Sequence, residues 1–313
     1  MVTFMGTKKG VVTAVRNISF ELQKGETLGV VGESGCGKSI TNMAIMGLLP
    51  PEAIVQADEL SFNGKDLRKL SDKEWQLMRG DHLGIIFQDP MSALNPCFNV
   101  MYQLGEVIKK VNPGISQERM ITNALQLLEQ VGIPDPKKRL KNYPHELSGG
   151  MAQRIMIAMA IAGKPEMLIA DEPTTALDVT IQLQILKLLK DLQKQNNMAI
   201  LFVTHDLAVV SQVSDKIQVL YAGEIVEQGR TTEIISNPSH PYTQGLLKSL
   251  PSQETSDKDL YSIDGMVPSL FNRPIGCQFA PRCEYVKDIC EKSSVEFIRQ
   301  NEREVRCVLA KDK

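Results

Sequence analysis

Residues 32–39 read Gly32-Glu33-Ser34-Gly35-Cys36-Gly37-Lys38-Ser39, which fits the pattern G-x-x-x-x-G-K-[ST]. The chemistry this allows is phosphate binding. Small glycines let backbone N–H groups converge on phosphate oxygens, and a helix starting here adds its positive end. Lys38 neutralises charge on the outer phosphates, and the Ser39 hydroxyl suits Mg²⁺. Cys36 is read as tolerated within the loop rather than as a redox group. A second cluster, MLIADEP (167–173), puts Asp171 at the end of an apolar run. There it can hold the Mg²⁺ shell, and Glu172 beside it can polarise an attacking water. In LSGGMAQR (147–154) two glycines precede a helical pattern, giving another helix N-terminus able to face phosphate. Taken singly, the first has a chance surface loop as its minor alternative, the second reads equally well as an acidic turn, and the third is only a turn. Their flanks and their order favour the chemical reading.

The elements that must position these groups are legible around them. The run Leu28 to Val31 reads as a buried strand, and a helical pattern runs from Lys38 to Leu49, where Pro50 and Pro51 stop it. Further strands are predicted at 82–87, 167–171, 199–204 and 216–221. Helices are predicted at 115–132 and 179–196, and Ser71 with Glu74 three residues on forms a capping box. Strands alternating with helices predict an α/β domain with a mainly parallel sheet. Between Gln88 and Lys164 the pattern is helix-rich and Met-rich with no strand, an insertion of about 89–164. These signals predict a domain over 1–250, a polar linker over 251–259, and a C-terminal four-cysteine module over 260–313.

The 313 residues carry a net charge of −2, with 42% hydrophobic and 23% charged residues. That balance argues against general attraction to nucleic acid or an anionic membrane, so no nucleic-acid partner is expected. The start lacks a signal-peptide pattern, and the longest nearly apolar run is about half of a membrane span. A cytosolic chain that meets a membrane only through a partner is the expectation.

The order of phosphate loop, IIFQDP (85–90), LSGG, ADEP, TTALD (174–178) and THD (204–206) resembles the ATP-binding subunits of ATP-binding-cassette (ABC) transporters. The resemblance implies an ABC-type P-loop NTPase with a parallel-sheet core and a helical subdomain. ATP would be held by Gly32, Ser34, Gly35, Cys36, Gly37, Lys38, Ser39 and Ile40, and Mg²⁺ by Ser39, Gln88 and Asp171. Gln88 matches the glutamine loop, Glu172 the catalytic carboxylate and His205 the switch histidine at the γ-phosphate. Ser148, Gly149 and Gly150 match the signature motif, which completes the ATP site of the opposite subunit, and Asp178 matches the loop coupling the two sites. Asp206 has the alternative of simply capping the next helix. Phe4 is the candidate for stacking on adenine; an ordinary strand residue is the other reading.

Finer matches, among them QDPMSALNP, YPHELSGGMAQR, HPYTQGLL and GMVPSLFNRPIGCQFAPRC, resemble the ATPases of dipeptide and oligopeptide importers. That resemblance implies a second, paralogous ATPase, two transmembrane permeases and an extracytoplasmic peptide-binding protein. It places the chain at the cytoplasmic face of the membrane. Nickel or another small solute is the alternative cargo, and a soluble ABC ATPase of translation or DNA repair the alternative class. Two departures stand out. Ala152 replaces a residue that is often basic, with a change in local charge expected, and only the end of a first strand is expected near VTF.

Of six cysteines, four are gathered late: Cys277, Cys283, Cys290 and Cys307, spaced C-x5-C-x6-C-x16-C. Four thiolates suit tetrahedral Zn²⁺ or an iron–sulfur cluster, and the wide spacing departs from zinc ribbons. The importer resemblance implies a [4Fe–4S] cluster. Zn²⁺ and unmetallated thiols in a small core remain the other readings.

Overall fold

A computed structural model describes residues 1–7, 10–175, 177–250 and 261–312. The linker expected at 251–259 lies outside the described residues. The chain forms two compact units: Met1–Glu21, Thr27–Arg68 and Phe202–Lys313 make the first, Leu22–Glu26 and Lys69–Leu201 the second.

In the first unit one sheet has the strand order Ile298–Gln300, Arg303–Val305, Glu224–Arg230, Lys216–Tyr221, Thr27–Val31. Thr27–Val31 and Lys216–Tyr221 run parallel, with Gly29 opposite Ile217, while the pairs outward of them are antiparallel. The parallel expectation therefore gives way to a mixed sheet. The reason is local. Ala222 and Gly223 both have positive φ, 46° and 82°, and turn the chain back as a hairpin. A small separate sheet orders Gly10–Val15, Val2–Thr7 and Ala53–Val55. Its first strand has six residues, longer than the strand end expected from the sequence.

In the second unit Leu83–Ile86 pairs in parallel with Met167–Asp171, Leu83 opposite Met167. All five residues of Met167–Asp171 are buried. Every described element between these two strands is helical. Side-chain oxygens cap several helices of this unit: Ser71, Asn99, Ser116 and Ser148 each accept a first-turn N–H. The capping box of Ser71 and Glu74 is present. Ala199–Thr204 carries the chain from the second unit into the first. No helix among the described residues is long and apolar enough to cross a membrane.

A separate C-terminal module is not what forms. Residues 261–312 belong to the unit that also contains the phosphate loop. Hairpin Ile298–Gln300/Arg303–Val305 extends that unit's sheet, pairing Val305 with Glu227. Glu227 is fully buried in its strand, and its carboxylate accepts the backbone N–H groups of Ser239 at 2.8 Å and His240 at 2.9 Å. His240 is buried too, and its Nδ1 accepts the N–H of Tyr242 at 3.1 Å, which requires the neutral ring. Burial lowers its pKa from the ordinary 6.5 to about 3. An unfolded chain protonates this ring near 6.5, so unfolding takes up a proton between those values and stability falls as pH drops through that window. Urea unfolding at pH 5 is expected to show a chain less stable than at pH 7 by about 2 kcal/mol from this ring alone. A pH-independent midpoint would show that His240 titrates normally.

Candidate functional site

The phosphate loop follows directly from the buried strand Thr27–Val31 and leads into helix Lys38–Ile45. Its N-cap is Gly37, at φ 105°, so no N-cap side chain covers the start of this helix. Gly32 is required by close approach: a Cβ there would lie 2.1 Å from the carbonyl oxygen of Leu220. The crown of the loop, Ser34 and Gly35, is exposed, as is Ser39. Lys38 is buried, and its Nζ donates to the carbonyl oxygens of Gly32 (2.6 Å) and Glu33 (3.1 Å). The ammonium is thus held by the loop it serves. Cys36 is 1% exposed, and burial pushes its thiol pKa up, which keeps it neutral and unreactive. The helix is shorter than predicted. It ends at Ile45 with Met46 as cap, because Gly47 turns left-handed at φ 60°, before the prolines are reached.

His205 and Asp206 follow Ala199–Thr204 in the first unit. His205 is exposed at the strand's end. Asp206 caps Leu207–Val213, accepting from the N–H groups of Ala208 and Val209. Phe4 pairs with Val12 in the small sheet and packs against Val2, Ala14 and Val15.

In the second unit Asp171 ends its strand buried, and Glu172 follows with φ 47°. A left-handed glutamate costs about 1–2 kcal/mol and persists where the surroundings hold it. They do so here by two hydrogen bonds to one oxygen. Glu172 Oε2 accepts from Gln88 Nε2 at 3.0 Å and from Thr175 Oγ1 at 2.9 Å. Gln88 and Glu172 were both legible from the motifs. Thr175 was not; its signal is a hydroxyl three residues after the carboxylate that follows the strand.

Ser148 caps Gly149–Ile161 by accepting the N–H of Met151 at 3.3 Å, and Asp178 caps Val179–Asn196 by accepting the N–H of Ile181 at 2.9 Å. A Cβ on Gly150 would lie 3.0 Å from Ile181 Cγ2. The signature and coupling motifs are therefore neighbours, two helix starts packed tip to tip. Ala152 is fully buried in the first of them, so its departure from a basic residue is a matter of packing as well as charge.

Oxygen donors are the hard ligands that Mg²⁺ takes; of the expected set, Ser39 lies in the first unit and Gln88 and Asp171 in the second. Cys277, Cys283, Cys290 and Cys307 line one small cavity of about 20 Å³ together with Phe279, Val295 and Leu309. Burial pushes Cys277 up to about 11 and raises Cys283 and Cys307. As the chain stands, no group of three or more His, Cys, Asp or Glu among the described residues is gathered tightly enough to hold a metal ion.

Residues 15–175 match the family described as ABC transporter, and residues 226–290 match the family described as oligopeptide/dipeptide transporter, C-terminal region. The chain belongs to the ABC transporter family. Its reaction as an ABC ATPase is ATP hydrolysis. It is 51% identical over 285 residues to the dipeptide transport ATP-binding protein DppD of Escherichia coli (strain K12), spanning 91% of this chain and 87% of that protein. To the oligopeptide transport ATP-binding protein OppD of Bacillus subtilis (strain 168) it is 54% identical, spanning 90% and 79%. Among solved structures, the dimeric post-hydrolysis ATP-binding cassette MJ0796 bound to ADP and Pi superposes with a TM-score of 0.64 at 27% identity, covering 74% of this chain and 99% of that one.

Proposed function

We propose that this chain is the ATP-hydrolysing subunit of an ABC importer that energises uptake of di- and oligopeptides through partner permeases. The observation that carries it is the conjunction, in one chain, of the ABC transporter match and the oligopeptide/dipeptide transporter C-terminal match. The division of labour follows the expected organisation. Residues 1–250 do the ATP work, the helical segment 89–164 grips a permease, and 260–313 is the cysteine-bearing segment. A second ATPase subunit supplies the opposite Ser-Gly-Gly helix start, and a peptide-binding protein delivers cargo from outside. The chain works at the cytoplasmic membrane face, held there by the permeases.

In this reading the first unit binds the triphosphate. Gly32, Ser34, Gly35, Cys36, Gly37, Lys38, Ser39 and Ile40 cradle the phosphates, Lys38 leaves the loop carbonyls to meet the outer phosphates, and Phe4 abuts adenine. His205 contacts the γ-phosphate. Mg²⁺, when bound, spreads the charge that builds on the phosphoryl oxygens. Ser39, Gln88 and Asp171 would hold it. Glu172, its carboxylate fixed by Gln88 and Thr175, orients and deprotonates the attacking water. Most of the acceleration comes from positioning and fixed charge. Ser148, Gly149, Gly150 and Asp178 act on the partner's nucleotide, so hydrolysis requires the closed pair.

Purified with its neighbours and placed in vesicles, the chain is expected to co-purify with two hydrophobic permeases and to drive ATP-dependent peptide uptake. Nickel uptake without peptide uptake would replace the cargo. Ribosome or DNA association without permeases would overturn the transport reading.

We further infer that the four cysteines, although not gathered about a metal here, ligate a [4Fe–4S] cluster. Support comes from their shared cavity. Cys277, Cys283, Cys290 and Cys307 would close about it, and it would cross-link the segment rather than catalyse. Freshly purified protein is expected to be brown and to contain iron and acid-labile sulfide. Colourless protein with one equivalent of Zn²⁺ would assign zinc instead.

A further inference from the structure

The side chain of Arg282 is 5% exposed, yet it lies in the C-terminal segment, between Cys277 and Cys283. A buried guanidinium needs a reason. Its partner is Glu33, the second residue of the phosphate loop. Arg282 Nη1 donates to both carboxylate oxygens of Glu33, at 3.1 and 3.0 Å, and lies 3.3 Å from the Tyr221 hydroxyl. Its other nitrogens donate to the carbonyl oxygens of Asp264 (2.8 Å) and Ile263 (3.0 Å), so the group is held on every side. Its guanidinium also lies over the rings of Tyr221 and Phe279, 5.8 and 5.9 Å from their centroids. Glu33 is fixed at its backbone too. Its N–H donates to the Tyr242 hydroxyl at 3.0 Å, and its carbonyl accepts Lys38 Nζ.

A negative carboxylate one residue inside a triphosphate-binding loop opposes its ligand. A buried cation set against it removes that opposition and fixes the turn from which the loop's N–H groups project. We propose that Arg282 is a positioning residue for ATP: through Glu33 it neutralises and braces the phosphate loop, so the C-terminal segment sets the nucleotide affinity of the first unit.

This rests on the ATP reading of the loop, and the test separates the two. In the full-length chain, fluorescent-ATP titration is expected to show Arg282→Ala weakened about tenfold, with Arg282→Lys intermediate. Adding Glu33→Gln to Arg282→Ala removes the unpaired charge and is expected to restore affinity to within about threefold of wild type. In the assembled transporter, the KM for ATP is expected to rise more than kcat falls. A purely structural arginine would lower the melting temperature of both variants alike and leave nucleotide affinity unmoved. Unchanged affinity in Arg282→Ala, or no rescue by Glu33→Gln, overturns the proposal. Failure of the wild-type chain to bind ATP would instead defeat the proposed function.

Discussion

Glu172→Gln is expected to bind ATP as well as wild type while hydrolysing it about 10²–10⁴-fold more slowly. The substitution keeps the shape of the side chain, and its amide oxygen can still accept from Gln88 and Thr175. What disappears is the base. A carboxamide cannot take the proton of the attacking water. The left-handed backbone at Glu172 makes the geometry specific, since the surrounding bonds hold one orientation against its strain. Phosphate-release assays on the assembled transporter, beside nucleotide titration, separate turnover from binding. Near-normal turnover would remove Glu172 from the catalytic role and shift attention to His205.

Lys38→Ala is expected to fail earlier, at binding. An ammonium that donates charge-assisted hydrogen bonds contributes about 1.5–3 kcal/mol, so its loss weakens ATP binding about 10–100-fold. A second cost adds to this. Lys38 bonds the carbonyls of Gly32 and Glu33, and alanine leaves both without that donor. The variant's loop is therefore looser before ATP arrives. ATP affinity equal to wild type would mean that Lys38 serves only the loop's own structure.

Much of this was legible because the chemistry sits at ends of strongly patterned elements. Met167–Asp171, Ala199–Thr204, Lys216–Tyr221 and Val179–Asn196 form at the residues their hydropathy marks. Glu224–Arg230 was missed because its centre is Glu227, a charge whose burial depends on two backbone donors at 239 and 240. Hydropathy cannot see such a bond. The bridge from Arg282 to Glu33 was hidden for a related reason: the partners are 249 residues apart, and neither looks unusual locally. The cysteines drew attention to the C-terminal segment as something separate. Its arginines and its edge hairpin make it part of the unit that holds the phosphate loop.

That arrangement sets an order on biosynthesis. The second unit is nearly one continuous stretch, Lys69–Leu201, and can condense while the ribosome is still adding later residues. The first unit cannot. Thr27 bonds the carboxylate of Asp215, 188 positions downstream, and the outermost sheet strands come from residues 298–305. The strand ahead of the phosphate loop therefore waits, unpaired on that side, until Lys216–Tyr221 has been made. A nascent chain stalled near residue 210 is expected to carry a folded middle and an unfinished phosphate loop, the state most in need of a chaperone.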